Sequence, residues 1–176
     1  AYLPKGEGSE VFLDMMKRSY EILSHHPVNE KRRAAGKNPA NSVWFWGEGT
    51  KPRLTPFETL YGKKGAVISA VDLVMGIGIL AGLTAIEVEG ATGNWDTNFA
   101  GKANAAADAL LGGLDFVYVH MEAPDECGHH GDTEKKIYSI EQVDGVARTV
   151  AEKLRAAGEP FCMLVCPDHP TPIALK

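Results

Sequence analysis

No apolar run in this chain approaches the roughly 20 residues that a membrane-spanning helix needs, so no such helix is expected. Cysteine is scarce: the three in 176 residues are an odd number without framework spacing. That argues against a disulfide scaffold and for a reducing cytoplasm. Basic residues are outnumbered, 18 against 23 acidic, for a formal net charge of −5. A generic nucleic-acid or anionic-membrane binder needs the opposite balance. The first residues, Ala1-Tyr2-Leu3-Pro4-Lys5, lack the basic and apolar regions of a signal peptide. There are no repeats and no low-complexity segments. What remains is an ordinary soluble composition, 44% hydrophobic and 23% charged, in a chain long enough for a real core. It opens without Met and stops at Ala174-Leu175-Lys176, just after a motif-bearing loop, and it reads as a piece of a longer protein.

Periodicity gives the organisation. Residues 9–24 read as a helix with Ser9 as N-cap and Phe12, Met15, Met16, Ile22 and Leu23 near one face. Residues 25–41 are polar, with a basic stretch at Lys31, Arg32, Arg33 and Lys37 that reads as a solvated surface. Ser42–Trp46 is a strand candidate with Trp44 and Trp46 on one face, suited to core or interface. The chain then alternates: a strand over 66–70, a helix over 72–80, a strand over 84–88, an Ala-rich helix over 99–111 and a strand over 116–120. The clearest helix covers 133–157, capped by Asp132 or Thr133 and ended by Gly158 and Pro160. Phe161–Cys166 is a continuous apolar strand candidate, on which Cys162 and Cys166 share a face as buried thiols. Such alternation implies the α/β class, with a mostly parallel sheet flanked by helices.

Two acidic and histidine-bearing clusters carry the chemistry. The first is Ala123-Pro124-Asp125-Glu126-Cys127-Gly128-His129-His130-Gly131-Asp132, the second Cys166-Pro167-Asp168-His169-Pro170-Thr171-Pro172. Each pairs carboxylate with imidazole, a donor mixture that suits hard and borderline divalent metals. Each follows the C-terminal end of an expected strand, where α/β sheets place ligands. Asp125 and His129, four apart, can reach one metal from a loop or a first helical turn. Alone, each cluster also reads as a polar turn. Taken together, Asp125, His129, Asp168 and His169 converge on one or two metals. A zinc site from Cys127, His129 and His130 is a conceivable variant, but structural zinc needs a second paired motif. Gly76–Gly82 has the wrong spacing and context for a dinucleotide loop and reads as close helix packing. The polar loop Gly90–Asn98 lines a cleft or merely connects. No serine sits in a nucleophile-elbow pattern, and no Ser/His/Asp triad can be argued.

With these residues in place, the chain resembles the 2,3-bisphosphoglycerate-independent phosphoglycerate mutases, closest to the branch widespread in archaea, within the alkaline-phosphatase superfamily. The matching stretches are Trp46-Gly47-Glu48-Gly49, Val67–Leu73, Glu89–Gly93, Ala123–His129 and Asp168–Pro172. The resemblance implies an alkaline-phosphatase-like domain over residues 56–176, preceded over 1–55 by the tail of an inserted substrate-binding domain. It implies two divalent ions, manganese first with magnesium, cobalt or zinc as alternatives. Asp125 and His129 are assigned to one ion and Asp168 and His169 to the other. The reaction implied is interconversion of 3- and 2-phosphoglycerate through a phosphoserine, with a small phosphorylated acid as partner; a related phosphatase or phosphotransferase is the alternative. The family's nucleophilic serine has no match here, so the chain is expected to be inactive alone.

Overall fold

Gly65–Ile68 forms the first strand, β1, and all four of its residues are buried. That is the mark of a strand covered on both faces, and its uninterrupted apolar character follows from it. The computed structural model describes residues 3–47 and 49–175. Of the stretches quoted above, Glu48 and the terminal Ala1, Tyr2 and Lys176 lie outside the described residues. β1 is flanked by β2 (Thr84–Ala85) and β3 (Phe116–Val119), in the order β2-β1-β3, both pairings parallel. Parallel neighbours require crossovers. Helix α4 (Asp72–Leu80) links β1 to β2, and α5 (Phe99–Leu111) links β2 to β3. After β3 come α6 (Ala123–His130) and the long α7 (Thr133–Ala156).

The chain divides into two compact units, Ala1–Lys51 and Pro52–Lys176. The first holds α1 (Ser9–Ser24) and α2 (Pro27–Ala34). Buried Asn29 organises it: its side-chain amide donates to the carbonyls of Leu23 (2.8 Å) and Ala40 (2.9 Å) and accepts from the Ala40 N–H (2.9 Å). The second unit, which also holds the five-residue α3 (Phe57–Tyr61), carries the sheet. Its core joins Ile68 of β1 to Phe99, Ala103 and Ala106 of α5 and to Val146, Val150 and Leu154 of α7. The alanines of α5 keep its surface low enough for α7 to close on it. On the other side, Gly78 of α4 meets Val67 so closely that an added Cβ would lie 2.4 Å from Val67 Cγ1. Gly78→Ala is therefore expected to destabilise the protein by about 1–3 kcal/mol through overpacking, read as a lower urea midpoint; an unchanged midpoint would show that α4 can slide off the strand.

Several expectations need correction. Helix α1 has the expected bounds, but its N-cap is Gly8, with Ser9 the first helical residue. The polar stretch 25–41 contains α2, started by the His26 ring accepting from the Val28 N–H and by Pro27 in the first turn. Ser42–Trp46 is not a strand: the Val43 N–H donates to the Ser19 hydroxyl (2.9 Å) and Phe45 packs on Phe12 of α1, ring centroids 5.5 Å apart. Trp44 and Trp46 are consequently exposed. The strand at 84–88 is short because, after a last bond from the Ile86 N–H to the Val67 carbonyl, the chain turns through Gly90. Phe161–Cys166 pairs with no strand among the described residues, and Cys162 and Cys166 are exposed rather than buried.

Candidate metal centre

The site forms where β1 and β3 end side by side. Beyond Ile68 the chain places Ser69, and beyond Val119 it places His120, whose N–H donates to the Ile68 carbonyl (2.8 Å). Buried Ser69 accepts the Val71 N–H (2.9 Å), and its hydroxyl lies 3.2 Å from His120 Nδ1. The other ring nitrogen, Nε2, lies 3.0 Å from Glu122 Oε2. Beneath them is Lys102 of α5, only 1% exposed. Its ammonium donates to the carbonyls of His120 (3.3 Å) and Thr92 (3.5 Å). Burial pulls the Lys102 pKa below its ordinary value, against the upward pull of the Glu122 carboxylate.

Helix α6 starts at this point. The Glu122 carbonyl accepts the N–H groups of Asp125 (2.9 Å) and Glu126 (3.1 Å), and Pro124 occupies the first turn, where its missing N–H costs nothing. Helical spacing then sets Asp125 beside His129, Oδ2 to Nε2 3.3 Å, and Glu126 beside His130. Ligand oxygens of Glu122, Asp125 and Glu126 lie within 4.8 Å of one another. Three carboxylates this close repel, and a divalent cation with oxygen donors is the group that such a set accommodates. That set fits a divalent cation, and of the four residues read from the sequence it contains Asp125.

The second cluster reaches the first through a residue not singled out in the sequence. Thr171 donates its hydroxyl to Asp125 Oδ1, and its carbonyl, with that of Pro124, accepts from the Lys136 ammonium (2.9 and 3.0 Å). Gly128 makes room: a Cβ there would sit 2.7 Å from both the Thr171 carbonyl oxygen and Lys136 Nζ. His169 Nδ1 lies 3.4 Å from the Thr171 hydroxyl, while the Asp168 side chain is 82% exposed and accepts the His169 N–H (3.0 Å). Asp125 and His129 are thus adjacent, Asp168 and His169 are adjacent, and Thr171 links the pairs. Among the described residues the close ligand group is Glu122, Asp125 and Glu126, and it leaves out His129, Asp168 and His169. The nearest sequence signal for Glu122 was the His-x-Glu spacing from His120 at a strand end. Thr171 and Lys136 gave no signal.

Cys127 is buried with its Sγ 3.7 Å from Ser139 Oγ of α7, and among the described residues it forms no close ligand group with His129 and His130. This removes the Cys127/His129/His130 variant. The loop 90–98 does more than connect: Asn94 and Trp95 line a cleft of about 370 Å³ with Glu126, His130 and Lys135.

Gly131, with φ +70°, ends α6, and Asp132 starts α7 by accepting the Lys135 N–H (3.0 Å). That bond, with the Lys135 ammonium, holds the Asp132 carboxyl below its ordinary pKa. A depressed folded pKa gives stability that is complete above the unfolded value and lost as pH falls through the folded one. Asp132→Asn is therefore expected to lower the urea midpoint at pH 7, with the difference from the wild type shrinking as pH falls below the ordinary carboxylate range; a difference that does not change with pH would exclude the charge contribution.

The family model described as the metalloenzyme superfamily matches residues 12–176. Over 176 residues the chain is 54% identical to the 2,3-bisphosphoglycerate-independent phosphoglycerate mutase of Methanosarcina mazei, covering 99% of this chain and 44% of that one. The chain thus spans under half the length of that relative. Among solved structures, the PH0037 protein of Pyrococcus horikoshii superposes with a TM-score of 0.71 at 34% identity, covering 84% of this chain and 38% of that one. The cofactor-independent phosphoglycerate mutase of Thermoplasma acidophilum superposes with a TM-score of 0.51 at 23% identity, covering 88% and 36%; at that identity the likeness bears on fold alone.

Proposed function

Because the chain belongs to the metalloenzyme superfamily, we propose that it is the larger part of the metal-binding domain of a phosphoglycerate mutase that needs no 2,3-bisphosphoglycerate. The full-length protein interconverts 3- and 2-phosphoglycerate in the cytoplasm through a phosphoserine whose serine lies outside this chain. Asp125 and His129 hold one divalent ion, and Asp168 and His169 hold a second; manganese suits their mixed oxygen and nitrogen donors. The unit Ala1–Lys51 belongs with the inserted domain that grips the substrate.

The observation that carries this reading is the Thr171–Asp125 hydrogen bond, which ties the second Asp/His cluster to the first beyond the C-terminal end of the parallel strand β3. Metal bound there would lower the pKa of an attacking hydroxyl and neutralise charge on the transferring phosphoryl group. The protein's own contribution is placement. Thr171 takes one oxygen of Asp125 and leaves the other facing His129. Gly128 and Lys136 hold the second cluster against α6.

The test is mutase activity of the full-length protein, with and without manganese, in the absence of 2,3-bisphosphoglycerate. Metal-dependent formation of 2-phosphoglycerate is expected. Release of phosphate from another ester, with no isomerisation, would keep the metal site and move the function to a phosphatase.

A further inference from the structure

The three residues Ser69, His120 and Glu122 form a hydrogen-bond series whose direction the carboxylate decides. The Glu122 carboxylate only accepts, so Nε2, 3.0 Å from Glu122 Oε2, carries the ring proton, and the bare Nδ1 accepts the hydroxyl of Ser69, 3.2 Å away, whose oxygen also accepts the Val71 N–H (2.9 Å). The series therefore runs from the Val71 N–H through Ser69 and His120 to Glu122. The backbone of His120 is fixed as firmly, its N–H on the Ile68 carbonyl and its carbonyl on buried Lys102. At the far end, Glu122 is the residue whose carbonyl takes the first N–H groups of α6, including that of Asp125. The ends of both sheet strands are thus wired to the first turn of the helix that carries Asp125 and His129.

We propose that His120 is a positioning residue: held in the Nε2–H tautomer between the Glu122 carboxylate and the Ser69 hydroxyl, it anchors Glu122 and so sets where α6 presents Asp125 and His129 to a divalent cation. Ser69 is buried and its hydroxyl is committed to the ring, so the series positions and offers no nucleophile of its own. Glu122 is at the same time one of the three carboxylates gathered within 4.8 Å with Asp125 and Glu126. The inference rests on the metal-centre reading above, because it concerns what α6 is aimed at.

The experiment uses the full-length protein with ¹⁵N-labelled histidine rings, manganese affinity by calorimetry, and the variants Ser69→Ala, Ser69→Thr and His120→Asn. The ring signals lost in His120→Asn identify His120. In the wild type they are expected to show Nδ1 as the bare, accepting nitrogen and Nε2 as protonated. Ser69→Ala, which removes one buried oxygen, is expected to abolish that single-tautomer pattern. It should also weaken manganese binding about 10- to 100-fold, the range for losing the partner of a metal site's inner residues, and lower the metal-free unfolding midpoint because the Val71 N–H loses its acceptor, a loss that Ser69→Thr controls for. Ser69→Thr keeps the hydroxyl and is expected to restore both the tautomer and the affinity. An Nδ1–H tautomer in the wild type, or equal manganese affinity in Ser69→Ala and Ser69→Thr, would overturn the inference. Mutase assays on the same samples separate the two proposals. An inactive wild type whose tautomer and affinity still respond to Ser69→Ala defeats the mutase reading alone. An active wild type whose affinity ignores Ser69 defeats the positioning role alone.

Discussion

Asp125→Asn in the full-length protein is expected to lower turnover by about 10³-fold, the effect of losing several kcal/mol of metal-assisted charge stabilisation. Asparagine has the same shape and keeps an oxygen for the Thr171 hydroxyl, so the packing of α6 survives while the charge goes. The sign of the stability change makes the prediction specific. Without metal, Glu122, Asp125 and Glu126 crowd their carboxylates within 4.8 Å, and Lys102 is the buried cation beneath them. Removing one negative charge relieves that repulsion. The metal-free Asp125→Asn protein is therefore expected to unfold at a higher urea concentration than the metal-free wild type, and to gain less from added manganese. Lost activity together with a lowered metal-free midpoint would mean that Asp125 holds structure, not metal, and would sink the assignment.

That combination of stored repulsion and exact placement explains which parts of the site were legible in the sequence. Asp125 and His129 are visible because a four-residue spacing on any helix brings two side chains together, and α6 is indeed a helix. Glu122 is not, because its approach to Asp125 depends on the chain reversing from β3 into α6. Thr171 and Asp125 are 46 residues apart, and no local period announces such a contact. Lys102 left a trace that composition alone hides: Phe99, Lys102, Ala103 and Ala106 share the buried face of α5, so a charged residue stands in an apolar stripe.

The same contrast holds for the fold. Helices α5 and α7 were readable because their apolar stripes meet in the core and their ends carry local signals, such as Asp132 on α7, whereas α4 was readable only as an apolar run between two strands, with Leu73, Ile77 and Ile79 left exposed. Helix α2 was hidden because its stripe is polar throughout. It stands on the His26 cap, the Pro27 first turn and a single buried Asn29. Strands were readable only as apolar runs, and an apolar run says that a segment needs covering, not what covers it. Ala66–Ile68 has its neighbours on both sides; Ser42–Trp46 has the same look and folds back on α1 instead.

Phe161–Cys166 is where that distinction has its largest consequence, and the 176-residue chain is expected to self-associate through it. The run holds no charge, no proline and no glycine, and it is rich in β-forming and apolar residues, the profile of a segment that pairs with any strand available. Leu164 is 85% exposed and Val165 62%. Covering these two side chains is worth about 4 kcal/mol, roughly three decades in an association constant. Leu164→Lys together with Val165→Glu places charges on both faces of the run and is expected to remove that gain. Sedimentation of the wild-type chain over a hundredfold concentration range should show mass rising above the 19.0 kDa monomer, while the double variant stays monomeric. The design also separates this run from the other exposed apolar side chains, such as Leu73 and Ile77 of α4. If Leu73→Lys suppresses association and the double variant does not, the sticky surface is the outer face of α4, and the apolar run is inert despite its sequence.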